Sequence, residues 1–152
     1  MANTYTQIYI HYVFSVKYRQ YLLKDNFRDE LHKYITGVIK KRKCKLLCIN
    51  SVSDHIHILV ALHPENSVSV LIKDIKAISS KFINDNKFVN GKFQWQEGYG
   101  AFSYSNSQVN IVKNYINNQA IHHKKKTFRE EYLDFLKKFG VEYDLKYVFD
   151  ID

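Results

Sequence analysis

His55-Ile56-His57 is the arrangement in this chain most able to carry chemistry. On a β-strand, residues i and i+2 project from one face, so the pair sets two imidazoles side by side within reach of a single metal ion. The competing reading is a pair of surface or hydrogen-bonded histidines. Placement favours the site, because Ile56, Ile58 and Val60 give the same strand an apolar opposite face and leave both rings on the other side of the sheet. Tyr115 and Gln119 form a second candidate, four residues apart and so on one side of a helix. A tyrosine phenoxide can attack a phosphodiester and conserve the bond's energy as a covalent phosphotyrosine, while the Gln119 amide oxygen can act as a neutral ligand. The plainer alternative makes Tyr115 one amphipathic tyrosine among 12 and Gln119 a solvated helix residue. His11 and His63 are possible substitute ligands.

These side chains need a scaffold, and the apolar periodicity supplies one. Tyr5 to Val16 alternates, with Ile8, Ile10, Tyr12 and Phe14 on one face and Tyr9, His11 and Val13 on the other, which predicts a strand. Asp25 or Asn26 can cap a helix carrying Phe27, Leu31, Tyr34, Ile35, Val38 and Ile39, ending near Arg42. Cys44 to Val52, a turn at Ser53-Asp54, and His55 to Leu62 predict an antiparallel hairpin, closed by Pro64. A second amphipathic helix runs from Ser67 to Asn84, with Val70, Leu71, Ile75, Ile78 and Phe82 as its stripe. A fourth strand lies within Phe93 to Tyr104. Ser105 and Gln108 have capping-box form and open a helix from about Asn106 to Ala120, and Phe128 to Phe139 predicts one more.

The order βαββαβ defines an α+β, ferredoxin-like antiparallel sheet with two helices on one face, plus an additional helix bearing Tyr115. One domain over residues 1–152 is expected, with a core of about 5–120 and a helical tail of about 121–152. Lysine and arginine number 23 against 15 aspartate and glutamate, a formal charge of +8 that favours a polyanionic partner, nucleic acid first. Lys17 and Arg19 after the first strand, with Lys73 and Lys76 on the second helix, are the preferred phosphate contacts, a solvated face being the alternative. The basic stretch from His122 to Lys126 can help hold DNA near Tyr115, a mobile basic surface segment being the competing reading. Tyr99, Phe102 and Tyr104 can stack bases, although aromatics along a strand more often fill a core. Cys44 and Cys48 would stand roughly 13 Å apart on a strand, too far to bridge, and are expected as buried small side chains. No run reaches the ~18 apolar residues of a membrane span, and Met1 to Thr6 lacks the pattern of a secretory signal, so a cytoplasmic protein is expected.

Taken together, Ser53-Asp54-His55-Ile56-His57-Ile58-Leu59-Val60 and Tyr115-Ile116-Asn117-Asn118-Gln119 resemble the paired-histidine and Tyr-x-x-x-Gln motifs of single-tyrosine HUH transposases, those of the insertion-sequence 200/605 family. Val16-Lys17-Tyr18-Arg19, Ile75 to Lys81 and Trp95 to Ser103 agree in order and spacing, so the resemblance covers about Tyr5 to Tyr132. It implies that Tyr115 attacks single-stranded DNA to form a 5′-phosphotyrosine and free a 3′-hydroxyl. It implies one divalent metal per site, magnesium or manganese, held by His55, His57 and Gln119. The implied partners are single-stranded DNA with hairpin-forming element ends and a second copy of the chain, with Tyr115 beside either its own or its partner's histidines. A repeat-associated, domesticated relative and a non-catalytic single-strand-binding module are the two rival readings.

Overall fold

A computed structural model describes residues 3–122 and 125–148. Lys124 and one neighbour of the basic stretch from His122 to Lys126, and the last four residues of the expected tail, lie outside the described residues. The chain runs β1 (Tyr9–Ser15), α1 (Asp25–Lys41), β2 (Lys45–Ser51), β3 (His55–Ala61), α2 (Val68–Asp85), β4 (Gly100–Tyr104), α3 (Val109–Asn117), α4 (Gln119–His122), α5 (Phe128–Lys138) and α6 (Leu145–Val148). The four strands form one sheet in the order β2-β3-β1-β4, with antiparallel neighbours throughout. This is the α+β arrangement expected from βαββαβ.

Alternation divides the sheet into two faces with different tasks. Ile10, Tyr12 and Phe14 of β1 and Ile56, Ile58 and Val60 of β3 join Phe27, Leu31, Ile35 and Ile39 of α1 and Leu71, Ile72, Ile75 and Ile83 of α2 in the principal core. At roughly 1.5–3 kcal/mol per fully buried aliphatic or aromatic side chain, this layer is the main favourable term in folding. The α2 stripe is rotated from its expected position: Val70 and Ile78 are exposed, while Ile72 and Ile83 are buried. Tyr34 is also largely exposed, yet its ring stacks on Phe82 at 4.1 Å.

The opposite face carries His11, Val13, His55, His57 and Leu59, and it is covered. Val112 and Ile116 of α3 pack on Cys48 and Leu59. Phe128, Tyr132, Phe135 and Leu136 of α5 pack on Val13 and Phe102. Phe102 is therefore core, while Cys44 and Cys48 are buried free thiols.

One element departs from the sequence expectation, and the fourth strand occupies only the end of its expected range. The fourth strand is confined to Gly100–Tyr104, because the preceding segment turns inward: Trp95 makes an isolated bridge with Val16, and its indole Nε1 donates to Ser79 Oγ at 2.9 Å. The helix predicted over Asn106 to Ala120 opens as a 3-10 turn, with the Ser105/Gln108 capping box in place, and then breaks at Asn118 between α3 and α4. Asn117 and Asn118 sit at that break, where asparagine side chains compete well with helical hydrogen bonds.

Gly100 shows how closely α5 is seated. A Cβ at this position would lie 2.9 Å from Tyr132 Cε1 and 3.1 Å from Phe102 Cε2, inside ordinary contact distance. Gly100→Ala is expected to cost about 1–3 kcal/mol by overpacking. Hydrogen exchange is expected to speed up in α5 before it does in α1 and α2, whereas uniform acceleration would show that Gly100 does not govern α5 docking.

Candidate active site

The register of the sheet builds the site. Antiparallel pairing places His57 opposite Val13 of β1 and Asn50 of β2, and His55 opposite Ser15. His11 lies two residues before Val13 on the same face, diagonal to His57, and the two rings meet with His11 Nε2 2.7 Å from His57 Nδ1. All three imidazoles are fully buried.

The tyrosine helix is fixed from below by β2. Asn50 Nδ2 donates to the Ile116 carbonyl at 2.8 Å, and Cys48 Sγ donates to Asn117 Oδ1 at 3.2 Å. These contacts occupy acceptors at the end of α3, where helical carbonyls lose their own partners. The Tyr115 ring consequently stands 5.9 Å from the His57 ring, centroid to centroid, with its plane nearly perpendicular. The tyrosine faces the histidines of its own chain.

The break at Asn118 does not separate Gln119 from the site. Gln119 is fully buried, its Oε1 lies 3.3 Å from His55 Nε2, and its amide donates to the Tyr115 carbonyl at 3.4 Å. The structure therefore brings together the four side chains His55, His57, Tyr115 and Gln119 from two distant parts of the sequence.

A fifth group, Glu131 of α5, joins them. Its Oε1 lies 2.9 Å from His57 Nε2 and 3.7 Å from His55 Nε2, and Tyr115 Oη donates to its Oε2. Sequence reasoning assigned Glu131 no role, although one signal was present. Phe128, Glu131, Tyr132 and Phe135 follow helical spacing, so this acid interrupts an otherwise apolar stripe. A buried carboxylate requires a charged or strongly hydrogen-bonding partner.

Hydrogen-bond polarity provides a test of metal binding. Asp54 Oδ1 lies 2.7 Å from His55 Nδ1 and accepts its proton, so a neutral His55 presents the lone pair of Nε2 to Gln119 Oε1 and Glu131 Oε1. Three acceptors then converge, and either an additional proton or a cation must resolve them. Ligand atoms of His55, His57 and Glu131 all lie within 4.8 Å of one another. The donor set of two imidazole nitrogens and carbonyl or carboxylate oxygens suits a divalent ion. His11 stands behind His57 rather than at the convergence point, so it supports the ring from outside, as Asp54 does for His55. Burial and the nearby His57 hold His11 well below the usual imidazole range, keeping it neutral.

Tyr115 is held as a phenol. Burial pushes its acidity down most, and the Glu131 carboxylate adds to the effect, raising the pKa far above the ordinary tyrosine value.

The basic residues separate into two groups. Lys17 and Arg19 follow β1, and Arg19 lines a cleft together with Asp54 and Phe128, next to the imidazoles. Lys73 and Lys76 are on α2, across the sheet, and do not join the site. Lys73 is exposed, whereas Lys76 Nζ donates to the Gln96 carbonyl at 2.7 Å and to those of Glu97 and Gly98. His63 is beyond the far end of β3, where its Nδ1 accepts from the Glu65 backbone.

Comparison with known proteins identifies the family and the fold. The family model described as IS200-like transposase matches residues 4–119, from before β1 through Gln119. The chain belongs to the IS200-like transposase family. It is 22% identical over 119 residues to the ISDra2 transposase TnpA of Deinococcus radiodurans, covering 74% of this chain and 84% of that protein. A crystal structure assigned to a transposase of Deinococcus radiodurans R1 matches with TM-score 0.62 and 19% identity, over 78% of this chain and 95% of the other. A REP-associated tyrosine transposase bound to a REP hairpin matches with TM-score 0.62 and 15% identity, over 100% and 92% of the two chains. The structural matches share the α+β fold of this chain. Among the described residues no helix is long and apolar enough to cross a membrane.

Proposed function

We propose that this transposase cleaves and rejoins single-stranded DNA at the ends of a mobile element, with Tyr115 as nucleophile. The observation that carries the reading is the convergence of the Tyr115 hydroxyl and both imidazoles on one buried carboxylate, Glu131. His55, His57 and Gln119 would hold one divalent ion, magnesium or manganese, with Glu131 Oε1 in the same cluster. When bound, such an ion polarises a non-bridging phosphate oxygen and offsets charge that develops there.

The chain's own groups perform the remaining tasks. Glu131 Oε2 accepts the phenolic proton as Tyr115 Oη bonds to phosphorus. The bond from phosphorus to the 3′-oxygen breaks, and that oxygen leaves as a hydroxyl by taking the proton that Glu131 accepted. Attack by a 3′-hydroxyl on the phosphotyrosine reverses the step and returns the proton to Tyr115. Because His55, His57 and Gln119 are fully buried, a phosphate reaches them when the Phe128 and Tyr132 side chains of α5 swing aside and leave Glu131 in place. Lys17 and Arg19 are on the side where DNA would enter. Lys73, across the sheet, would bind DNA remote from the cut, and Lys76 would do so only by giving up its carbonyl partners.

A homodimer belongs to this reading as the means of holding two cleaved ends together, since one chain already assembles tyrosine and imidazoles. Hairpin-forming element ends are the proposed substrate. The likeness to a REP-associated transposase over the whole chain favours a second reading, action on dispersed repeated hairpins. Mirrored ends flanking the gene would support the first reading, and scattered single hairpins the second.

The test is a denaturing gel with single strands that span the gene's native flanks. A slow-migrating protein–DNA adduct is expected with magnesium or manganese and not with EDTA. Equal adduct in EDTA would remove the metal from the mechanism, while binding with no adduct under any metal would favour the non-catalytic module.

A further inference from the structure

The cleft beside the histidines has a construction that catalysis alone does not explain. It encloses about 490 Å³ and is lined by Tyr18, Arg19, Tyr21, Asp54, Phe128 and Arg129, among others. Two of its walls belong to the buried site. Asp54 holds the His55 ring, and the Phe128 ring lies 4.5 Å from that same ring.

The third wall is a strained turn. Tyr18 and Arg19 both have positive φ, 58° and 54°, in consecutive positions. Non-glycine residues held in this region are strained and persist where the surroundings fix them. The surroundings do so here: Val16 N donates to the Asp54 carbonyl at 2.8 Å, Leu23 N to the Ser53 carbonyl at 2.9 Å, and Lys17 N to the Gln94 carbonyl at 3.0 Å. The turn is thus tied to the β2–β3 connection that leads into His55. It presents two aromatic rings to solvent, Tyr18 at 51% exposure and Tyr21 at 67%. Lys17 Nζ lies 5.5 Å from the Tyr18 ring centre.

Charge in the cleft is positive. Arg19, Arg129 and Lys126 face it, against Asp54, which is committed to His55, and Asp134, which pairs with Lys126 outside the lining. Exposed aromatic faces among cations, beside a site for a phosphate, match the chemistry of an unstacked nucleotide: a base stacks on the rings and its phosphates meet the guanidinium groups.

We propose that this cleft is the subsite for the nucleotide adjoining the scissile phosphate, its base against Tyr18 and Tyr21 and its phosphate between Arg19 and Arg129. The assignment rests on the single-strand cleavage reading above. The nucleotide would anchor the strand at the edge of α5 while the next phosphate enters beneath that helix.

The probe is a 20-nucleotide single strand from the gene's native flank, with 5-iododeoxyuridine placed at successive positions for photocrosslinking and peptide mapping. Crosslinks to Tyr18 or Tyr21 are expected from one position beside the cleavage point. Tyr18→Ala/Tyr21→Ala is expected to weaken binding about tenfold, the size of one lost stacking contact. An abasic residue at the crosslinking position should weaken wild-type binding equally and add little in the double variant. Arg19→Gln and Arg129→Gln should each reduce the salt dependence of binding by about one phosphate contact. Because Tyr18 and Tyr21 are largely exposed, the double variant should retain the wild-type unfolding midpoint.

Unchanged affinity in the double variant, with crosslinks mapping elsewhere such as the Lys73 surface, would overturn the subsite while leaving the transposase reading intact. Crosslinks to Tyr18 and Tyr21 in a protein that forms no adduct through Tyr115 would keep the cleft as a nucleotide-binding site and overturn both the catalytic reading and the cleft's link to a scissile phosphate.

Discussion

Tyr115→Phe is expected to abolish covalent attachment to DNA while binding single strands within about threefold of the wild-type affinity. The substitution removes one oxygen and leaves the ring, which packs near His57 and Phe135. Among the described residues, no other group at the convergence of His55, His57 and Gln119 offers a tyrosine oxygen. Tyr104 lies behind His11, 3.5 Å from its Nδ1. The loss should therefore be complete, since the covalent step requires the phenolic oxygen itself. Stability should fall through a lost hydrogen bond rather than through a cavity. Glu131 Oε2 loses a hydrogen bond, at a cost of about 1–3 kcal/mol if that oxygen stays buried without a substitute partner. Gel analysis of adduct, fluorescence anisotropy for binding and urea denaturation together separate these effects. Full adduct in the variant would move the nucleophile elsewhere in the chain.

The second large effect is expected at His57. Its ring links His11 on one side to Glu131 on the other, so His57→Ala removes a proposed metal ligand and leaves two buried polar groups without that partner. Cleavage should fall by about a thousandfold or more, since a metal supplies several kcal/mol of charge stabilisation and each 1.36 kcal/mol is tenfold. Folding stability should fall as well, by about 1–3 kcal/mol for each group stranded in the interior. His55→Ala separates the two contributions, because Asp54 is only partly buried and can turn to water once the imidazole is gone. It should lose metal-dependent cleavage with the smaller stability loss. Metal titration by calorimetry, activity assays and thermal unfolding on both variants distinguish a ligand from a structural link. Wild-type cleavage by His55→Ala would remove His55 from the metal site.

The sheet and its two faces were legible because strand alternation is local: Ile56, Ile58 and Val60 against His55, His57 and Leu59 can be read without knowing any partner strand. The hairpin, both packing helices and the Ser105 cap followed from equally local signals. Tyr115 and Gln119 were paired by helical spacing, and the structure keeps them together although the helix breaks at Asn118; the amide reaches back to the Tyr115 carbonyl across the break.

What escaped sequence reading depends on contacts made over long separations. Glu131 is 74 residues from His57 along the chain, and only the folding of α5 onto the histidine face brings it there. His11 had the right face for a ligand, but its diagonal position puts it behind His57. Trp95 fell inside the range expected to hold the fourth strand, because an aromatic-rich run fits a pleated surface. Its partner is Ser79 on α2, which no local pattern reveals. Lys76 read as a phosphate contact because a lysine beside an apolar stripe is usually solvated. The 96–98 carbonyls that receive it come from a loop that closes over α2.

Peptide mass spectrometry after reaction with flank-derived single strands tests the central claim most directly. The protein is incubated with manganese, digested with protease and nuclease, and searched for a peptide carrying a phosphodeoxynucleotide. The expected modified peptide is the one containing Tyr115, with the mass of a 5′-linked nucleotide and no counterpart in the EDTA sample. A nucleotide on any other tyrosine, or on the Tyr115 peptide regardless of metal, would contradict the account of a metal-assisted tyrosine nucleophile at the His55–His57 site.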